Sequence, residues 1–208
     1  MALDTSLLVG RLRGMDVELS PKASEIVACA QSLLAVRGYN GFSYADISEA
    51  VHISKPSVHH HFASKADLVR TVVRRYRDGA RAGMAALEQQ IADPLAQLHA
   101  YVGYWTACIR DGTAPFCVCA MLAAEMPAIP GEVAEEVRGH FDDLAGWLQA
   151  VLERGVADGV FHLRGPAKAE AMAVMASVHG AMLAARAHGD TELFGTIMKP
   201  VLHRLTHH

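Results

Sequence analysis

The stretch from Tyr39 to Leu68 constrains the fold of this chain more than any other. It divides into short segments that each follow a helix-capping residue: Ser43 precedes the first segment and Ser54 the second. Pro56 falls in the first turn of the second segment, where its missing N–H removes no helical hydrogen bond. The spacing therefore predicts two helices of about two turns each, the second from about Lys55 to His61.

The apolar residues of this stretch recur at helical spacing, and His52-Ile53 form the turn between the two short helices. Ser64 is the expected cap of a third, longer helix that begins near Lys65. The expected inner residues of the three helices are Ala45, Ile47, Ala50, Val51, Val58, Phe62, Leu68 and Val72. Two short helices joined by such a turn form a helix-turn-helix, whose second helix enters the major groove of DNA. A turn of this kind also occurs in helical proteins that bind no DNA.

Three runs within residues 21–75 resemble the N-terminal domain of the tetracycline-repressor (TetR) family of bacterial regulators. They are Arg37–Ser43, Ile47–Val51 and Ile53–Lys65. The last run carries the order hydrophobe, Ser, Lys and small residue, followed by His-Phe and then Ser-Lys. The resemblance implies a DNA-binding regulator with an N-terminal helix-turn-helix.

The resemblance also implies which side chains contact DNA. Lys55, Ser57 and His60 are expected at base edges, and the other polar residues of the set at phosphates. Tyr44 stands where family members usually carry Thr, and His59 where they often carry Tyr, although a histidine can still donate to a phosphate. The expected DNA-binding residues are Ser43, Tyr44, Lys55, Pro56, Ser57, His59, His60 and Lys65.

The charge distribution agrees with DNA binding by the N-terminal part, although the formal net charge is −3. Residues 1–81 carry 11 Lys+Arg and 8 Asp+Glu, a balance of +3, and residues 82–208 carry 8 and 14, a balance of −6. Phosphate contact is local, so a modest basic face is sufficient when a dimer doubles it. Two interpretations stay open for one arginine cluster, DNA contact or a solvated helix face: Arg70, Arg74, Arg75, Arg77 and Arg81.

Composition excludes several other classes of protein. Hydrophobic residues make up 51% of the 208, yet no run of roughly 18 apolar residues appears, so no membrane partner is expected. Residues 1–20 lack the order of a secretory signal peptide, which leads us to expect a cytoplasmic protein. Four cysteines do not form a disulfide framework and are expected as free thiols.

Helical spacing continues to the end of the chain and predicts an all-α fold. We expect a disordered arm at 1–19, a helix-turn-helix domain at 20–75, and an effector-binding and dimerisation domain of antiparallel helices at 76–206. The helices expected after the DNA-binding motif are 65–91, 94–110, 115–125, 131–158, 166–188 and 191–205, with Pro200 causing a kink or break in the last.

The resemblance further implies a homodimer on a palindromic DNA operator. The two helix-turn-helix domains of the dimer would occupy successive major grooves, and the subunits would pair through helices 131–158 and 166–188. A small-molecule effector in the second domain would tilt the helix at 65–91 and change the spacing of the two helix-turn-helix domains. Repression is the expected mode.

Cys117 and Cys119 allow three interpretations. They can be small core residues. They can also form a thiol sensor, because a helix N-terminus after Pro115 would lower a cysteine pKa. The third is a soft-metal site that includes Cys108, but residues i and i+2 of a helix point roughly 200° apart, so no metal site is predicted.

A set of aromatic, thioether and thiol residues on the later helices is expected to line an apolar effector pocket. These residues are Tyr101, Trp105, Cys108, Phe116, Cys117, Met121, Trp147, Met175, His179 and Met182. For His179 the pattern favours a core position over a place in the pocket. Phosphate-binding loops, nucleophile elbows and metalloprotease signatures do not occur in the sequence, so neither a cofactor nor an enzymatic activity is expected.

Overall fold

The computed structural model describes residues 19–114 and 116–207. Over these residues the secondary structure is helical and contains no strand, which confirms the all-α prediction. The arm expected at 1–19 lies, apart from Leu19, outside the described residues.

Nine α-helices follow one another along the described residues. In chain order they are α1 (Pro21–Arg37), α2 (Tyr44–Ala50), α3 (Lys55–His61), α4 (Lys65–Gln90), α5 (Pro94–Asp111), α6 (Val118–Ala124), α7 (Gly131–Ala157), α8 (Ala167–His188) and α9 (Leu193–Thr206). A short 3-10 helix at Met126–Ala128 separates α6 from α7.

Capping side chains set the starts of four helices, among them the predicted caps Ser54 and Ser64. Ser20, Ser54, Ser64 and Asp93 each accept a hydrogen bond from a backbone N–H in the first turn of the following helix. Such caps satisfy N–H groups that have no partner within the helix. Gly38 ends α1 with φ of 71°, and its N–H donates to the carbonyl of Leu34 over 3.0 Å.

One predicted helix boundary is wrong, and one predicted break does not occur. The helix expected at Pro115–Glu125 spans only Val118–Ala124, because Cys117 has the extended backbone of an N-cap, with ψ of 123°. The sequence predicted a kink or a break at Pro200, and the break does not occur, because α9 continues through Pro200 to Thr206. Met198 and Leu202, on either side of the proline, are buried, and their packing supports the helix.

One residue expected inside the protein lies outside it, and one apolar residue of α7 is also exposed. Ala50 is exposed, because α2 is short and buries only Ile47 among its seven residues. Val156 is 46% exposed on the last turn of α7.

The described residues pack into two compact units. The head unit comprises residues 19–80 and Phe116–Phe141, and the body unit comprises residues 81–114 and 142–207. Helices α4 and α7 contribute residues to both units. The sequence-based division of the chain at residue 75 stays a prediction; it does not anticipate that Phe116–Phe141 packs with the helix-turn-helix.

The core of the head unit is assembled from apolar residues of nearly all its helices. Helix α1 packs against α2 and α6, and α2 packs against α3. The side chains that are completely buried there include Ile26, Leu34, Ile47, Val58, Leu68, Val72, Leu122 and Val137. The three short helices therefore derive their stability from tertiary packing.

In the body unit, α9 packs against both α8 and α5. Its Phe194 is fully buried, as are Leu98 of α5 and Val178 of α8. The N–H of His162 donates to the carbonyl of Leu205 over 2.7 Å and fixes the α7–α8 connection to the end of α9. None of the helices in the described residues is long and apolar enough to cross a membrane.

Replacing Gly155 by Ala is expected to destabilise the body unit. A Cβ at this position would lie 2.0 Å from Cδ2 of Phe161, which is only 2% exposed and has no room to move. Overpacking of this kind lowers the free energy of unfolding by roughly 1–3 kcal/mol, which urea unfolding can measure.

Gly103→Ala is the matched control. No atom lies within 4 Å of its added Cβ, and Gly103 is exposed in the middle of α5. Here Ala is expected to raise the free energy of unfolding by up to about 1 kcal/mol. Equal shifts for the two variants would contradict the packing of Phe161 on α7.

Candidate DNA-binding interface

Helix α2 begins with a reciprocal capping box that holds the first half of the helix-turn-helix. Asp46 Oδ2 accepts hydrogen bonds from the N–H and the hydroxyl of Ser43, over 2.8 and 2.7 Å. These bonds, followed by the charge of Arg37 at 3.2 Å, hold the pKa of the Asp46 carboxyl below its usual value. Ser43, a predicted phosphate contact, is therefore also a structural cap.

A side-chain hydrogen bond closes the turn between α2 and α3. Ser48 Oγ donates to the carbonyl of Ile53 over 2.5 Å, and the N–H of Ile53 donates back to the carbonyl of Ser48 over 3.1 Å. His52, between them, has φ of 55°, the left-handed conformation that tight turns need. This pair of bonds fixes the angle at which α3 leaves the turn.

Helix α3 has one buried side and one exposed side. Val58 is completely buried and Phe62, directly after the helix, is 4% exposed. Ser57 is half-buried, with its hydroxyl 2.9 Å from Ser54 Oγ. The exposed residues are Lys55, Pro56, His59 and His60. The structure thus brings most of the predicted base-contacting set to one surface of a seven-residue helix.

Tyr44 links the start of α2 to the end of α3. Its hydroxyl donates to the carbonyl of Phe62 over 3.0 Å, and its ring meets the ring of His59 edge-on at 4.6 Å. Burial, with a smaller contribution from the charge of Asp67, raises the pKa of Tyr44 to about 12. Its phosphate contact stays a prediction, whereas its hydrogen bond to the carbonyl of Phe62 is present in the structure.

Lys65 also has an internal role. Its ammonium group donates to the carbonyl of Phe42 and lies over the rings of Phe42 and Tyr39, 4.2 and 4.8 Å from their centroids. Burial lowers the pKa of Lys65 from its usual value. The phosphate contact of Lys65 remains a prediction. The side chain that would make this contact is half-buried.

Three arginines of α4 pair with carboxylates of α7. Arg77 Nη1 lies 3.2 Å from Glu136 Oε2 in the head unit, and Arg74 lies 3.7 Å from the same carboxylate. In the body unit, Arg81 binds Asp143 through two hydrogen bonds of 2.7 and 3.1 Å. These arginines join α4 to α7, a third role that neither sequence-based interpretation contained.

The structure does not favour the thiol-sensor interpretation of Cys117 and Cys119. Cys117 and Cys119 are both completely buried. Burial, followed by a hydrogen bond with Cys117, raises the pKa of Cys119 well above its usual value, so a reactive thiolate is disfavoured. The proline invoked for a lowered pKa lies outside the described residues. The interpretation of both cysteines as core residues agrees with the structure.

A metal is not supported by the surroundings of these cysteines. Cys117 precedes α6, so the objection based on helical spacing does not apply, and its Sγ lies 4.0 Å from Nε2 of buried His140. Nevertheless, the part of the chain that the structure describes contains no group of three side chains that could hold a metal ion.

Most of the predicted effector-pocket residues lie in the body unit. Trp147 is buried there, its ring 5.6 Å from that of Tyr101. Its Nε1 has no hydrogen-bond partner among the described residues. His179 is half-buried, with Nδ1 2.9 Å from the carbonyl of Met175. Buried with them are Trp105, Cys108 and Met182, whereas Phe116, Cys117 and Met121 belong to the head unit. The pocket itself stays a prediction.

A separate surface depression of about 490 Å³ in the body unit contains none of these residues. It is lined by Arg164, Lys199, Pro200, His203, Arg204 and His207.

Sequence reasoning missed Glu125. Its carboxylate accepts hydrogen bonds from the N–H groups of Tyr39 and Asn40 in the turn before α2, over 2.5 and 3.5 Å. The partners are 86 and 85 residues away along the chain and contribute only backbone atoms. No residue pattern signals such a contact.

Tyr44→Phe is expected to test the α2–α3 link. At neutral pH the variant loses about 0.5–1.5 kcal/mol of unfolding free energy, because the carbonyl of Phe62 loses its donor. The raised pKa of Tyr44 adds a pH effect: its contribution is complete below about pH 10 and is lost as the pH rises through about 12.

The wild type should therefore lose more stability than Tyr44→Phe between about pH 9 and pH 12. Urea midpoints of both proteins across this range measure the difference. Parallel curves would show that the Tyr44 hydroxyl does not titrate as described.

Comparison with known proteins identifies the family of both parts of the chain. The model of bacterial regulatory proteins of the tetR family matches residues 26–72, and the model of the tetracyclin repressor-like C-terminal domain matches residues 94–201. A crystal structure of a TetR-family transcriptional regulator from Agrobacterium tumefaciens is 57% identical, with a TM-score of 0.88. That match covers 89% of this chain and 98% of the other.

Curated relatives match over a shorter region. The transcriptional repressor KstR2 of Mycobacterium tuberculosis is 28% identical over 81 residues, and the transcriptional activator FasR of Mycolicibacterium smegmatis is 26% identical over 93 residues. These matches cover 39% and 45% of this chain, and the chain spans 40% and 42% of the lengths of the two relatives. With both family models matched in order along the sequence, the chain belongs to the TetR family of bacterial transcriptional regulators.

Proposed function

We propose that this protein is a ligand-responsive transcriptional regulator that binds a palindromic DNA operator as a homodimer. The observation that carries the proposal is the two-sided helix α3. Its apolar side is buried through Val58 and Phe62, and its opposite side exposes Lys55, His59 and His60 at the surface. A short helix presented in this way has the geometry with which helix-turn-helix proteins read base edges.

The division of labour within the interface follows from where each side chain is anchored. Lys55 lies in the first turn of α3, is exposed, and can move to fit a base edge. Ser43 and Lys65 are held in fixed positions by their own hydrogen bonds, which suits contact with the regular phosphate backbone. Phosphate contacts position a protein on the duplex, and base contacts specify the sequence.

An exposed apolar stripe on α8 supports the homodimer. Met172 and Leu183 are 48% and 59% exposed, and small residues between them leave the helix surface open to close approach. The stripe consists of Ala169, Met172, Ala173, Ala176, Gly180 and Leu183; apart from the adjacent pair Met172 and Ala173, consecutive members are three or four residues apart. A helix face of this kind is suited to pack against the same face of a second chain.

We infer an effector that is largely apolar and carries a hydrogen-bond acceptor. The body unit buries a cluster of aromatic and thioether residues, and the buried Nε1 of Trp147 is a donor without a partner there. An effector releases DNA only to the extent that it prefers the conformation that does not bind DNA. Tryptophan fluorescence, recorded for the wild type and Trp147→Phe, is a direct screen for such molecules.

Alanine substitutions of two lysines should separate base contacts from phosphate contacts. Lys55→Ala is expected to cost about 1–3 kcal/mol of discrimination at one operator position, because a base-edge contact is lost. Lys65→Ala is expected to weaken binding to all sequences alike and to reduce the salt slope by about 1. Fluorescence anisotropy with duplexes selected from a random library, and with single-base variants of them, measures both. An effect of Lys65→Ala confined to one base pair would contradict its assignment.

A charge in the α8 stripe should separate the dimer. Leu183→Glu places a carboxylate in the proposed apolar interface, where it has no partner, so the variant is expected to sediment with the mass of one chain. Val36→Glu is the control, since Val36 is also largely exposed, at 57%, but lies on α1 of the head unit. A dimer that survives Leu183→Glu unchanged would place the interface elsewhere.

A further inference from the structure

The carboxylate of Glu125 joins the end of α6 to the turn that precedes the helix-turn-helix. Glu125 follows the last residue of α6 and is half-buried. It accepts a short hydrogen bond of 2.5 Å from the N–H of Tyr39 and a longer one of 3.5 Å from Asn40. Hydrogen bonds from backbone N–H groups to an ionised carboxylate are among the stronger ones in proteins.

Gly38 makes this close approach possible. A Cβ on Gly38 would lie 2.5 Å from Glu125 Oε2 and 2.9 Å from its carboxyl carbon, closer than atoms can pack. The residue also has φ of +71°, which favours glycine independently. The backbone at the end of α1 is therefore shaped to receive the carboxylate.

The same turn is held from another direction by Lys65. Its ammonium group donates to the carbonyl of Phe42 and lies over the rings of Tyr39 and Phe42. The charge of Glu125 raises the pKa of Lys65 and partly offsets the effect of burial, so the two groups interact across the turn. Lys65 opens α4 three residues after Phe62, which closes the recognition helix α3.

We propose that Glu125 is a positioning residue for DNA binding: it holds the turn at residues 38–42, and through Lys65 the recognition helix, in the arrangement that reads DNA. Helix α6 thereby controls DNA affinity without touching DNA. The inference rests on the proposed DNA-binding function and deepens it, since it names a residue outside the helix-turn-helix that positions the recognition helix.

Substitutions of Glu125 test this role by two independent readouts. Hydrogen–deuterium exchange of a peptide that contains residues 38–43 reports the hold on the turn, and anisotropy with a duplex selected by the wild type reports DNA affinity. Glu125→Ala is expected to speed exchange in this peptide and to weaken DNA binding about tenfold, the loss typical of one hydrogen bond to a charged group. Glu125→Gln keeps one acceptor oxygen and should recover part of both.

Glu135→Ala is the matched control, because Glu135 is an exposed carboxylate of the same unit. It should leave exchange and affinity unchanged.

A double variant tests whether Glu125 is the partner of the turn. Gly38→Ala alone suffers both the strain of a positive φ and the clash with the carboxylate. In the Glu125→Ala background the clash disappears, so the double variant should lose less DNA affinity than the two single losses combined. A merely additive result would show that the carboxylate does not act on this turn and would overturn the proposal.

The remaining outcomes distinguish a failure of the role of Glu125 from a failure of the proposed DNA-binding function. Faster exchange in Glu125→Ala with unchanged DNA affinity would overturn the positioning role. Unchanged exchange would also overturn it, because Glu125 would then not hold the turn. If the wild type selects no duplex at all, the proposed function itself fails, and the exchange experiment alone then shows whether Glu125 holds the turn.

Discussion

A helix of seven residues cannot persist in water through its own hydrogen bonds, so the candidate reading surface depends on the burial of Val58 and Phe62. Burying these two side chains directs the opposite side of α3 outward. The hydrogen bonds of Ser48 and Tyr44 then fix the entry and the exit of the helix, because each binds a backbone carbonyl on one side of it. Presentation of Lys55 and the histidines is a consequence of this packing.

Most of the charged groups described in the head unit bind other groups of the same unit. Asp46 caps a helix, Glu136 receives arginines of α4, and Lys65 and Glu125 hold one turn from different directions. An ion pair near the surface, such as that of Arg74 with Glu136, contributes little stability by itself. The value of these contacts is geometric, because they fix backbone segments that carry few apolar side chains. The residues left outward on α3 are then available for a partner.

The sequence predicted local features of the fold and of the site well. Ser54 and Pro56 carry strong positional preferences, so the start of α3 could be placed from single residues. Interactions between distant segments could not. In the sequence, Glu125 resembles any other polar residue that follows a short helix. Its contact with the turn between α1 and α2 involves only backbone partners.

The cysteine segment shows the same limit. Whether Cys117 and Cys119 are reactive depends on solvent access, which is a property of the packed core. The exposure of Ala50 is a similar case, since only the arrangement of neighbouring helices decides which side of a two-turn helix is covered. Short periodic segments contain too few residues to define a buried face by themselves.

The most direct test of the central claim is the stoichiometry and salt dependence of binding to a duplex selected from a random library. If the protein reads DNA through α3 as proposed, two chains should occupy one palindromic duplex, and affinity should fall steeply as salt is raised. Binding should also exceed that to a scrambled duplex of equal length. Failure to bind any selected duplex at low salt, or equal affinity for selected and scrambled sequences, would contradict the account.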